Sequence, residues 1–131
     1  MRRFKFSKLV RDKIVENIIS VGNKPNWRRL SESEYIRELK KKIVEEALEV
    51  PRTEDPEEVV KELADVQEII DNLLGVLKVS REKFGEIQKI KNDKNGSFKK
   101  RQYIEDVETS NEITKWVKYY LDNPDKYPEV K

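Results

Sequence analysis

Apolar residues in this chain recur at helical rather than alternating spacing. Ile14, Val15, Ile18 and Ile19 predict a short helix over Arg11–Val21, with Gly22 as its C-cap and Pro25 as a stop. Residues 23–30, which include Trp27, then form a loop or extended segment. Ser31 or Ser33 can cap a second helix, and Glu34 completes a capping-box spacing from Ser31. This helix runs to about Val50, where Pro51 ends it. Asp55 caps a third helix, which opens on Pro56 and continues to roughly Leu77. Ser80 can start a fourth, to about Lys91, before a turn-rich stretch over Asn92–Gly96 and an extended one over Ser97–Ile104. Asn111–Leu121 makes a last amphipathic helix through Ile113, Trp116, Val117 and Tyr120, followed by a tail containing proline. The expected fold is all-α: an antiparallel helical bundle around a central hairpin, plus a C-terminal helix.

Acidic residues interrupt the apolar stripes of that hairpin. In the second helix Ile36, Leu39, Ile43 and Val50 follow a 3/4 spacing whose missing member is Glu46. In the third, Val59, Leu63, Val66, Ile70, Leu73 and Leu77 form the stripe. On the helical wheel Glu62 falls between Val66 and Ile69, and Asp65 lies on the rim of the apolar sector near Val76. A carboxylate on an apolar face is costly unless a cation compensates it. In an antiparallel hairpin, residues are level when their numbers share a constant sum. Glu49 with Glu62 and Glu46 with Asp65 meet that condition. Together the four can form a cage of oxygen ligands suited to a divalent cation. Glu54/Glu57, Glu68/Asp71 and Glu105/Glu108 share the i, i+3 spacing without the apolar phase, and read as solvated helix faces.

Composition narrows the chemistry further. The 131 residues include 28 Lys or Arg and 26 Asp or Glu, for a net charge of +2, with no Cys and no His. Disulfides, thiolate or imidazole zinc sites, a Cys nucleophile and a Ser-His-Asp triad are therefore excluded. Any chemistry must rest on oxygen ligands and carboxylates, aided by Lys, Arg, Ser or Tyr, which favours a hard cation such as Mg²⁺ or Mn²⁺ as helper. The near-balanced charge argues against nucleic acid as a partner. No apolar run approaches the ~20 residues of a membrane span, and the basic N-terminus lacks a signal-peptide apolar region, so a soluble cytoplasmic protein is expected. With 36% hydrophobic residues the core is thin, which favours a homo-oligomer, a dimer or tetramer.

The motif Glu46-x-x-Glu49 followed by Glu62-x-x-Asp65, with Glu45 beside it, resembles the all-α nucleoside triphosphate pyrophosphohydrolase superfamily of MazG-like and phosphoribosyl-ATP pyrophosphohydrolase-like proteins. Lys8-Leu9-Val10-Arg11-Asp12-Lys13-Ile14, Arg28-x-Leu30 with Glu34-Tyr35, and Glu62-Leu63-Ala64-Asp65-Val66 are similar to its house-cleaning branch. The resemblance covers about residues 5–104 and implies a domain over 1–104, with 105–131 as a helical extension. It implies Mg²⁺-dependent hydrolysis of a noncanonical or deoxy nucleoside triphosphate to the monophosphate and pyrophosphate. Glu46, Glu49, Glu62 and Asp65 would be the metal ligands, and Glu45 a further acidic ligand or the group orienting water. The branch carries Arg-Gly-Gly-Phe where this chain has Asn95-Gly96-Ser97-Phe98, followed by Lys99, Lys100 and Arg101. Lys94 can partly replace the missing arginine.

Lys8, Arg11, Arg28, Lys94 and Arg101 are the candidate phosphate binders, with salt-bridged or solvated surface as the competing account of each. Trp27, Tyr35 and Phe84 are candidates to stack on a base, although aromatics in helical proteins more often pack in the core. Trp116, Tyr119 and Tyr120 suit packing on the body or on a neighbouring subunit. Two other readings are phosphoribosyl-ATP pyrophosphatase activity, which the Lys8–Ile14 string argues against, and a non-catalytic helical partner-binding module on the same scaffold.

Overall fold

The computed structural model describes residues 1–131, which form five α-helices, one 3₁₀ turn and no strand. The all-α expectation is met. Two compact units divide the chain, Met1–Asp93 and Lys94–Lys131, earlier than the division after Ile104 that the resemblance implies.

In the first unit, α1 spans Ile14–Ser20. It is shorter than expected because Arg11–Lys13 form a preceding turn, in which the Ile14 amide donates to the Arg11 carbonyl at 3.1 Å. Gly22 ends the helix at φ 85°, with its amide on Ile19 and that of Asn23 on Ile18, a Schellman motif. α2 spans Glu32–Glu49 behind a complete capping box: Ser31 Oγ accepts from the Glu34 amide, and the Glu34 carboxylate accepts from the Ser31 amide. Val50–Arg52 form a 3₁₀ turn containing Pro51, whose missing amide ends α2. α3 spans Pro56–Val76, with Asp55 Oδ1 accepting from the Glu57 amide at 3.1 Å. Its far end is a second Schellman motif, with Lys78 in the left-handed region at φ 59° and the Val79 amide on the Leu74 carbonyl at 2.9 Å.

α2 and α3 pack against each other as an antiparallel hairpin, the connection between them being too short for any other arrangement. Leu39, 2% exposed, is the one fully buried side chain. Ile36, Ile43, Val50, Val59, Val66, Ile70 and Leu73 are half-buried along the seam. Leu63 and Leu77, expected in the stripe, are exposed instead, Leu63 on the flank of α3 and Leu77 at its C-cap. α4 spans Arg81–Asn95, starting from Ser80, whose Oγ accepts from the Lys83 amide at 3.1 Å. It runs through the Asn92–Asn95 stretch expected to turn, and every one of its residues is exposed. Within the unit, extensive helix packing is confined to α2, α3 and the turn joining them. No helix is long and apolar enough to cross a membrane.

The second unit begins in the last turn of α4. Phe98–Arg101 form a turn with Arg101 at φ 55°, in place of the extended segment expected there. α5 spans Lys115–Asp122 and starts four residues later than expected, because Thr114 caps it by accepting from the Val117 amide at 3.3 Å. Ile113 consequently precedes the helix and is exposed. Tyr119, Tyr120 and Tyr127 cluster with ring centroids 5.1–6.2 Å apart.

Candidate metal centre

One flank of the hairpin gathers the acidic residues. The i, i+3 spacing puts Glu46 and Glu49 on one face of α2, and Glu62 and Asp65 on the facing side of α3. Glu46, Glu62 and Asp65 each offer a carboxylate oxygen within 4.8 Å of the other two, and all three are half-buried. Oxygens on one Mg²⁺ at ~2.1 Å stand roughly 3–4 Å apart. Small rotations of these side chains would therefore close the set around an ion. The donors are carboxylate oxygens only, the donor type suited to hard cations.

Glu49, expected as the fourth ligand, is not in this group. It accepts from Arg52 Nη1 at 2.8 Å, a partner three residues along the chain. Its charge still reaches the site. Burial, followed by the charges of Asp65, Glu49, Glu46 and Glu58, pushes the Glu62 carboxyl above the ordinary carboxylate range. Glu62 itself has no cationic side chain within ion-pair distance, so the middle of the cluster is its least compensated point.

Three cations border the cluster. Arg11 Nη2 donates to Asp65 Oδ1 at 2.7 Å. Lys8 Nζ donates to Glu45 Oε1 at 3.4 Å. Lys42, 17% exposed, stands 3.4 Å from Glu45 and 3.6 Å from Glu46. Burial acts to raise the Glu45 carboxyl, but the charges and hydrogen bonds of Lys42 and Lys8 outweigh it and hold that group below its ordinary value. Lys42 is a site residue the sequence reading missed. Its signal was local, since one lysine three and four residues before two glutamates faces both of them on a helix.

Of the candidate phosphate binders, the structure brings Lys8 and Arg11 to the carboxylates. Arg28 is directed elsewhere. It makes a two-pronged pair with Glu34 at 3.1 and 2.7 Å, and this pair, with the Ser31 hydrogen bonds, pulls the Glu34 carboxyl down to about 2. Lys94 and Arg101 belong to the second unit, where Ser97, Phe98, Lys100, Arg101 and Gln102 line a crevice of about 90 Å³. Tyr35 is half-buried between the helices and donates to Asn72 Oδ1 at 3.3 Å, so it ties α2 to α3 and does not present a free ring. Trp27 is exposed with the Arg29 guanidinium 5.3 Å above its ring. Phe84 lines an open crevice of about 270 Å³ between α3 and α4, with Gln67, Asp71, Leu74 and Arg81. Helical phase puts that crevice on the flank of α3 away from Asp65.

No protein-family model, curated protein or solved structure matches this chain.

Proposed function

We propose that the chain is a Mg²⁺-dependent hydrolase that cleaves a noncanonical or deoxy nucleoside triphosphate to the monophosphate and pyrophosphate. The observation that carries this reading is the convergence of Glu46, Glu62 and Asp65 from two helices, with oxygens within 4.8 Å of one another. The resemblance of the Glu46–Glu49 and Glu62–Asp65 motif to the all-α pyrophosphohydrolases supplies the reaction.

Glu46, Glu62 and Asp65 would hold the ion, and Glu49 would join them on leaving Arg52. When bound, Mg²⁺ neutralises triphosphate charge, lowers the pKa of water and stabilises the leaving pyrophosphate. Glu45, held ionised by Lys42 and Lys8, can orient a water toward the α-phosphorus. Arg11 and Lys8 stand at the rim of the cluster, where a guanidinium and an ammonium can bind phosphate oxygens. The proposed active form is a homo-oligomer. Its support is exposed apolar surface: Val44 and Leu48 on α2, and Val60 and Leu63 on α3, are each more than half exposed.

The test is a panel of canonical, deoxy and modified nucleoside triphosphates, with phosphoribosyl-ATP as a further substrate, assayed for pyrophosphate release in Mg²⁺ and in EDTA. The proposal expects Mg²⁺-dependent release from at least one triphosphate. It also expects a loss of about 10²–10³-fold in kcat/KM for Glu46→Gln and Asp65→Asn. Full activity in either variant would reject the site assignment. The same exposed apolar surface favours a second reading, a partner-binding module. That reading expects no pyrophosphate release and no Mg²⁺ or Mn²⁺ affinity.

A further inference from the structure

The segment preceding α1 crosses the acidic flank of the hairpin. Ser7, at φ 47°, turns the chain just before Lys8. Leu9 and Val10 are half-buried and anchor the backbone, and the Arg11 carbonyl closes the turn into α1. From this anchored stretch Lys8 reaches α2 at Glu45, and Arg11 reaches α3 at Asp65. The two contacts differ in consequence. Glu45 lies outside the group of three converging oxygens, whereas Asp65 belongs to it. Arg11 thus satisfies one of the carboxylates that a divalent ion would need.

We infer that Arg11 is an internal counterion for Asp65 that a divalent cation displaces, so that metal binding frees its guanidinium at the rim of the same site. This inference rests on the metal reading above and adds an order of events to it. The Arg11 side chain is 60% exposed, so its head can leave Asp65 for solvent without disturbing packing. The backbone held by Leu9 and Val10 need not move. Lys42 differs: it is only 17% exposed and is shared between Glu45 at 3.4 Å and Glu46 at 3.6 Å. It therefore stays as a fixed compensating charge. A guanidinium released beside a bound ion is suited to two-pronged contact with a phosphate oxygen pair. The exchange couples occupancy by the ion to readiness for the anionic substrate. An exposed ion pair is weak, so the competition with the metal is modest.

The experiment measures Mn²⁺ affinity of the full chain by loss of the free-ion electron paramagnetic resonance signal, for wild type, Arg11→Gln and Lys91→Gln. Lys91 lies on exposed α4 and controls for the loss of one positive charge. The inference expects Arg11→Gln to bind about two- to fivefold more tightly than wild type, and Lys91→Gln to match wild type. In wild type labelled with ¹⁵N, the Arg11 Nε–H resonance should shift as Mg²⁺ is added, while that of Arg28, paired with Glu34, stays in place. Equal or weaker Mn²⁺ binding by Arg11→Gln, or an Arg11 resonance unmoved at Mg²⁺ saturation, overturns the inference and leaves the metal site standing. If none of the three proteins binds Mn²⁺, the metal reading itself fails and takes the inference with it.

Discussion

Glu34 takes part in two local interactions at the start of α2, closing the capping box with Ser31 and pairing with Arg28. Its depressed pKa, about 2, has a defined consequence for stability. A carboxyl depressed in the fold binds fewer protons there than in the unfolded chain, so its contribution is full above the unfolded value near 4.3. It is lost as pH falls through about 2. Glu34→Gln keeps a capping side chain and removes the charge. Urea-unfolding midpoints should therefore show wild type more stable at pH 7, with the gap closing between about pH 5 and 2. The same contact directs Arg28 away from the acidic cluster. A carboxylate six residues away on a capped helix captures it, and nothing in the spacing of basic residues reports that competition. Glu49 is drawn off for a related reason, since Arg52 in the turn that follows takes its oxygen at 2.8 Å. Glu46, Glu62 and Asp65 were legible because phase and level, both set by backbone geometry, fix where a helical side chain starts.

Helix boundaries were legible where a local stop or cap defines them: the Ser31 box, Pro51, Asp55 with Pro56, and Gly22. Apolar spacing alone does not set them, as at Ile113, which lies before the Thr114 cap. The two Schellman motifs make the role of termination measurable. Gly22 adopts φ 85° without a side-chain penalty, whereas Lys78 holds φ 59° with one. Lys78→Gly should raise unfolding free energy by about 0.5–1 kcal/mol, and Gly22→Ala should lower it by about 1 kcal/mol. Chemical denaturation of both variants checks this, and opposite signs are the expected result. What apolar periodicity could not supply is which helices pack together. Phe84, Ile87 and Ile90 give α4 apolar character, yet they are exposed in this chain.

At the scale of the molecule, the chain exposes 12878 Å², against about 7,000 Å² for a folded monomer of this length. Leu39 alone is fully buried, so the thin core foreseen from composition is thinner than expected. The proposed oligomer answers both observations. Helical phase places Val44, Val60 and Leu63 on the flank of the hairpin opposite the carboxylates, where a second copy could pack without covering the acidic cluster. Sedimentation equilibrium should give a multiple of the chain mass, and Val60→Lys with Leu63→Lys should shift it toward the monomer. A wild-type monomer at micromolar concentration would remove that part of the account. Within the molecule, Glu46, Glu62 and Asp65 are proposed to form one divalent-cation site. Its most direct test is a Mn²⁺ titration of wild type beside Glu46→Gln and Asp65→Asn, each shown to be folded by circular dichroism. The account predicts saturable binding by wild type that weakens at least tenfold in both variants. Absence of saturable binding in wild type, or unchanged affinity in both variants, would contradict it.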